Sequence, residues 1–187
     1  DILDRYNVKA TFFVTNGKPD YQNLIAQEAQ RGHTVAIHSA SHDYAKIYQS
    51  VDAYFADFDE MNSIITAQTG KAADLVRFPG GSSNTISKKY CYGIMSQLVC
   101  AVEERGFRYC DWNVSSGDAG GTTSTSQVVA NVIAGIKGNN VSVVLQHDIK
   151  NFSVDAVEQI IQWGLSEGYT FLPITSTTPM SHHGINN

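Results

Sequence analysis

A chain of 187 residues is long enough for one sizeable core and too short for two comfortable domains, so a single domain over residues 1–187 is expected. A net charge of −5 without a basic cluster gives no face for nucleic acid, and no apolar run reaches the roughly 18 residues of a membrane span. Three cysteines, Cys91, Cys100 and Cys110, cannot all pair and provide no disulfide framework. Nine tyrosines and eight phenylalanines suit a core and a sugar-binding groove.

In chain order, Asp1 to Tyr6 has the spacing of the last turns of a helix, with Asn7 as its stop. With no initiator Met and no signal peptide, the expectation is the remainder of a longer chain. Ala10 to Val14 reads as a buried strand, and a helix from about Asp20 puts Leu24, Ile25 and Ala29 on one face before Gly32. A second strand, Thr34 to His38, is followed by a helix from about Asp52 with Tyr54, Phe55, Phe58, Met61, Ile64 and Ile65 at three- and four-residue steps. Leu75 to Phe78 is a third strand, ended by the loop Pro79-Gly80-Gly81-Ser82-Ser83, and a helix over Lys88 to Arg105 buries Ile94, Leu98 and Val102.

Phe107 to Trp112 is a fourth strand, and a polar loop, Asn113 to Thr123, leads through Ser126 as cap into a helix with Val128, Val132 and Ile136. Val141 to Gln146, a helix over Val154 to Glu167 and a sixth strand at Thr170 to Leu172 complete the pattern. Apolar strands alternating with amphipathic helices give an α/β protein with a parallel sheet. The period alone is compatible with a barrel or a doubly wound sheet.

The unusual polar residues fall at strand ends. His38 and His42 lie four apart, a spacing that on one helical turn presents two nitrogens to one metal ion. Arg77 lies in the third strand, Asp118 after the fourth and His147 after the fifth. Each also has an ordinary explanation. The histidines can be unrelated surface or core residues, Arg77 a structural ion pair, Asp118 a turn residue beside Gly117, and His147 a rim histidine. All five share one topological position, which in parallel α/β folds is where functional groups gather.

The stretches His38-Ser39-Ala40-Ser41-His42, Arg77-Phe78-Pro79-Gly80-Gly81-Ser82, Trp112 to Asp118 and Leu145-Gln146-His147 resemble the second to fifth motifs of the polysaccharide deacetylases with NodB homology, carbohydrate esterase family 4. Lys9 to Val14 resembles the strand after the family's first motif. The resemblance implies a distorted (β/α)7 barrel, here without its first strand. It also implies a divalent metal, zinc first and cobalt, nickel or iron as alternatives, and hydrolysis of N-acetyl groups on N-acetylglucosamine polymers, peptidoglycan foremost. It makes His38 and His42 metal ligands, His147 the general acid, Asp118 its orienting carboxylate and Arg77 the holder of the catalytic base. Gly80 would offer its N–H to the oxyanion and Leu145 would line the substrate site.

Departures accompany the match. The family's Asp-Asp motif, which supplies the base and a third ligand, has no counterpart here, so the missing strand of the same protein becomes an expected partner beside the polysaccharide. Gly80 stands where many members carry an aromatic residue, Ala119 where a Trp often follows the Asp, and Trp112 is a candidate aromatic wall. An extracellular or envelope location follows from the substrate. The alternative is a non-catalytic carbohydrate-binding module on the same scaffold, its metal completed, if retained, by Asp43 or Asp148.

Overall fold

The computed structural model describes all residues, 1–187. The elements in order are α1 (Ile2–Arg5), β1 (Thr11–Thr15), α2 (Asn23–Gln30), β2 (Thr34–Ser39), α3 (Tyr44–Ile47), α4 (Val51–Thr69), β3 (Leu75–Val76), α5 (Ile94–Glu104), β4 (Arg108–Tyr109), β5 (Val114–Ser115), α6 (Thr125–Lys137), β6 (Val144–Leu145) and α7 (Asn151–Ser166). They fall into two compact units, a larger one of Ala10–Asp111 with Pro173–Asn187 and a smaller one of Asp1–Lys9 with Trp112–Leu172.

The larger unit is built on a four-stranded parallel sheet in the order β1-β2-β3-β4. β1 and β2 run in register from Thr11↔Thr34 to Val14↔Ile37, and the next pair is Thr15↔Ser39. His38 is therefore an extra residue, a bulge at the end of β2, the kind of irregularity that re-aims a side chain beside a functional site. Against this sheet α4 buries Tyr54, Phe58, Met61 and Ile65, the three- and four-residue stripe of the sequence, while Phe55 and Ile64 are half-buried flanks. Ser50 caps its start by accepting from the Ala53 N–H, and Gly70, with φ +74°, ends it in the left-handed conformation. From α5, Ile94, Met95, Leu98 and Val102 join the same core.

In the smaller unit β5 pairs in parallel with β6, Val114 with Val144 and Ser115 with Leu145. α6 packs on α7 through Val128, Val132, Ile136, Ala156 and Ile160. Helix and strand meet closely at Gly135, where a Cβ would stand 2.5 Å from Val114. α1 is tied to α7 by Tyr6, whose hydroxyl donates to Glu158 at 2.7 Å. Asn7, at φ +50°, is the expected stop.

Several elements differ from expectation for identifiable reasons. The helix expected over Lys88 to Arg105 breaks into a 3-10 turn at Ser87–Lys89 and α5, because Gly93 takes φ +77° as the N-cap of α5. Ser124, not Ser126, caps α6, its extended backbone letting its hydroxyl accept from Gln127. The loop expected over Asn113 to Thr123 begins with β5, whose two residues are too short to show a period. Thr170 to Leu172 makes no ladder; the Phe171 ring lies instead on α7 at Gly164, where a Cβ would meet it at 2.5 Å.

Phe58 is 1% exposed and meets Phe107 edge-on, with ring centroids 4.7 Å apart. Phe58→Ala is expected to lower unfolding free energy by about 3–5 kcal/mol in urea titration. Leu24→Ala, on the exposed side of α2, should change it by less than about 0.5 kcal/mol.

Candidate functional site

The two histidines are adjacent, but not on a helix as their spacing first implied. His38 is the bulge residue of β2 and His42 sits in a turn at φ +53°, and this path brings the rings to 5.0 Å between centroids. His38 Nδ1 lies 2.6 Å from the Arg77 carbonyl oxygen. A carbonyl can only accept, so Nδ1 carries the proton and the ring's lone pair is on Nε2, the arrangement of a metal-ligating imidazole. The turn itself rests on an acid from α4 that has no sequence signature. Asp57, buried in α4, accepts from Ser39 Oγ (2.5 Å), Ala40 N–H (2.8 Å) and Ser41 N–H (2.8 Å), while Ser39 Oγ accepts from His42 N–H at 2.8 Å. Burial alone pushes the Asp57 carboxyl up, but those hydrogen bonds outweigh it and hold the group below its ordinary value.

This donor pair fits two positions of a divalent-ion site. No group of three or more His, Cys, Asp or Glu is gathered around it or elsewhere in the chain. Asp43, a candidate third ligand, caps α3 by accepting from the Ala45 N–H at 2.9 Å.

Arg77 follows β3 and is buried. Its Nε donates to the Cys110 carbonyl (2.8 Å), one terminal nitrogen to the Asp111 carbonyl (2.9 Å), and the guanidinium lies 4.1 Å from the Phe13 ring centroid. The carbonyls that a buried Arg in an apolar strand requires are thus those at the end of β4. Burial pulls its pKa down from the ordinary value. Next in the chain, Tyr48 Oη donates to the Pro79 carbonyl at 2.6 Å, and Gly80 and Gly81 both take φ +78°. Gly80 is exposed, and a Cβ there would lie 2.8 Å from the Tyr44 hydroxyl and 3.0 Å from Asn84. Glycine is required for both reasons.

A second overlooked carboxylate, Asp111, fixes this loop. Fully buried, it accepts from Ser82 N–H (2.8 Å), Ser82 Oγ (2.5 Å) and His183 N–H (2.9 Å). The C-terminal segment lies along the same edge, with His182 stacked on Tyr109 at 3.9 Å and His183 Nδ1 3.0 Å from Ser83 Oγ. The only hint in sequence was an acidic residue inside the apolar run before Trp112.

In the smaller unit Asp118 and His147 form a dyad. His147 Nδ1 is 2.8 Å from Asp118 Oδ1, and His147 N–H (2.7 Å) and Ser153 Oγ (2.6 Å) both donate to Oδ2. Lys150 Nζ donates to the Asp118 carbonyl oxygen at 2.5 Å. Asp118 is 1% exposed and the His147 side chain 37% exposed, so the carboxylate is enclosed and the ring reaches solvent. Leu145, half-buried, pairs with Ser115 two residues before His147. Ser153 was not anticipated, since a serine in the first turn of a helix is ordinary.

Burial pushes the Asp118 carboxyl up, but hydrogen bonds from His147, Ser153 and Ser116 outweigh it and drive the group far below the usual range. A depressed carboxylate contributes stability above its unfolded pKa, about 3.9, that is lost as pH falls toward the folded value. Urea titrations at stepped pH should therefore show stability falling below about pH 4. Asp118→Asn should be less stable at pH 7 with a shallower acid decline, and an unchanged decline would contradict this account.

A family model described as polysaccharide deacetylase matches residues 1–92. The chain is 70% identical to the crystal structure of the catalytic domain of a peptidoglycan N-acetylglucosamine deacetylase from Eubacterium rectale, covering 100% of this chain and 86% of that one with a TM-score of 0.99. A polysaccharide deacetylase structure from Bacillus cereus is 29% identical over 98% of this chain and 86% of its own, with a TM-score of 0.77. The curated peptidoglycan-N-acetylglucosamine deacetylase of Bacillus cereus is 30% identical over 90% of this chain, which spans 60% of that relative's length. The α/β class with parallel strands is that of these structures, and the chain belongs to the polysaccharide deacetylase family.

Proposed function

We propose that the protein hydrolyses the N-acetyl group of N-acetylglucosamine residues in a cell-envelope polysaccharide, peptidoglycan first, with a divalent metal, zinc first, on His38 and His42. The observation that carries this reading is the enclosed Asp118 carboxylate beside a solvent-reaching His147. A binding module has little physical need for an imidazole fixed in one tautomer by a buried acid. Similarity to peptidoglycan deacetylases over nearly the whole chain supports the substrate class.

When bound, the metal would supply Lewis-acid polarisation of the amide oxygen and an acidified water. The base and a third ligand would come from the family's Asp-Asp strand, which has no counterpart in this chain; the remaining tasks fall to its side chains and backbone. Asp118 accepts the Nδ1–H of His147 and stabilises the imidazolium, whose second proton, on Nε2, is handed to the departing amine, without which the C–N bond breaks to a poor anionic leaving group. The Gly80 N–H, in the loop held by Asp111 and Tyr48, donates to the oxygen that gains charge. Leu145 would line the substrate site. Arg77, kept rigid by two carbonyls, would hold the carboxylate that the Asp-Asp strand contributes as base.

Acetate release from N-acetylglucosamine oligomers and from peptidoglycan, with added zinc or cobalt, tests the proposal on the protein that includes the Asp-Asp strand. His147→Ala should lower kcat by about 100- to 10,000-fold while leaving the thermal unfolding midpoint within a few degrees. A wild-type protein that binds these polymers yet releases no acetate with either metal would overturn it in favour of a carbohydrate-binding module.

A further inference from the structure

Tyr44 stands beside the histidine turn, and the proposed reaction assigns it no task. It opens α3, two residues after His42, and its ring stands edge-on to His42 with centroids 5.6 Å apart. On its other side it meets Tyr48 edge-on at 5.5 Å, and Tyr48 is the buried residue that bonds the Pro79 carbonyl. The phenol is thus clamped between a candidate ligand and the support of the Gly80 loop. Its hydroxyl comes up against Gly80, 2.8 Å from where a Cβ would be, and fills the space a side chain at that position would take.

Two further observations separate this from ordinary packing. The Tyr44 hydroxyl makes no hydrogen bond within the chain and is not enclosed, so it is free to donate to a molecule that reaches it. Gly80 is exposed, so the side of its loop where the hydroxyl lies is open to a molecule from solvent. Where an aromatic side chain is absent at position 80, an aromatic hydroxyl arrives from α3.

We propose that Tyr44 is a catalytic residue whose hydroxyl donates a hydrogen bond to the acetamide oxygen as charge develops on it, alongside the Gly80 N–H. This rests on the deacetylase reading. A donor aimed at a developing oxyanion accelerates the reaction more than it tightens substrate binding, and losing one such donor typically costs about 100-fold or more in kcat.

The experiment is steady-state acetate release from an N-acetylglucosamine oligomer by Tyr44→Phe, with thermal unfolding as the check on folding. Affinity for the same oligomer is measured by calorimetry in a His147→Ala background with and without Tyr44→Phe. The expected result is kcat lower by about 100-fold, with KM and calorimetric affinity changed by less than about 3-fold and the midpoint retained. A loss confined to KM and affinity would make Tyr44 a ground-state contact and overturn the proposal, as would unchanged kinetics. Absence of acetate release from wild type would instead sink the deacetylase reading itself, so the two failures are distinguishable.

Discussion

One device recurs in both units, twice in the larger and once in the smaller: a buried carboxylate saturated by N–H and O–H donors that fixes an irregular segment. Asp57 holds the His38–His42 segment, Asp111 the Arg77–Ser82 loop and Asp118 the backbone and ring of His147. Burying a carboxylate without partners is prohibitive, and the penalty is offset only when N–H and O–H groups arrive at short range. For Asp57 and Asp118 the hydrogen bonds outweigh burial and the net displacement is downward. The exchange is mutual: irregular turns carry backbone N–H groups with no ladder partner, and the carboxylate supplies the acceptor.

That device explains how irregular loop segments are held in place. A bulge at His38, a left-handed residue at His42 and two consecutive positive-φ glycines each depart from regular backbone. Such conformations persist only where their surroundings over-determine them. α4 provides part of that surrounding, since the helix face that packs Tyr54, Phe58 and Met61 into the core also delivers Asp57. The apolar stripe therefore fixes the position of the acid, and the acid fixes the turn. Packing and polar anchoring act in series here.

How much of this was legible in the sequence follows from the same physics. The stripe of α4 and the strand segments around Ala36 and Leu75 were readable, because burial on one face leaves a period. The histidine pair, Arg77, Asp118 and His147 stood out because polar groups at the ends of apolar runs have few structural uses. Asp57 and Asp111 did not, since an acid within an amphipathic helix or next to an aromatic looks like a solvated residue until the turn it supports is placed above it. Ser124 and Gly93 show the same limit at helix starts, where several capping residues compete and backbone conformation decides. Two-residue strands such as β5 and β6 are too short for any period to register.

The two fixed imidazoles show how the fold can set one residue type to two tasks. His38 gives its Nδ1–H to a neutral carbonyl, and His147 gives its own to a carboxylate. A neutral partner suits a ring that must keep a lone pair for a cation and never take up a proton. An anionic partner suits a ring that must gain and lose charge within one turnover, because the opposite charge is already in place. The difference arises from which acceptor the local chain path brings under the ring. For His38 a bulge brings the ring to the Arg77 carbonyl; for His147, just past β6, the turn after β5 presents Asp118, itself held by Ser153. On the proposed reading, ligand and general acid are thus distinguished by their hydrogen-bond acceptors before any substrate or metal arrives.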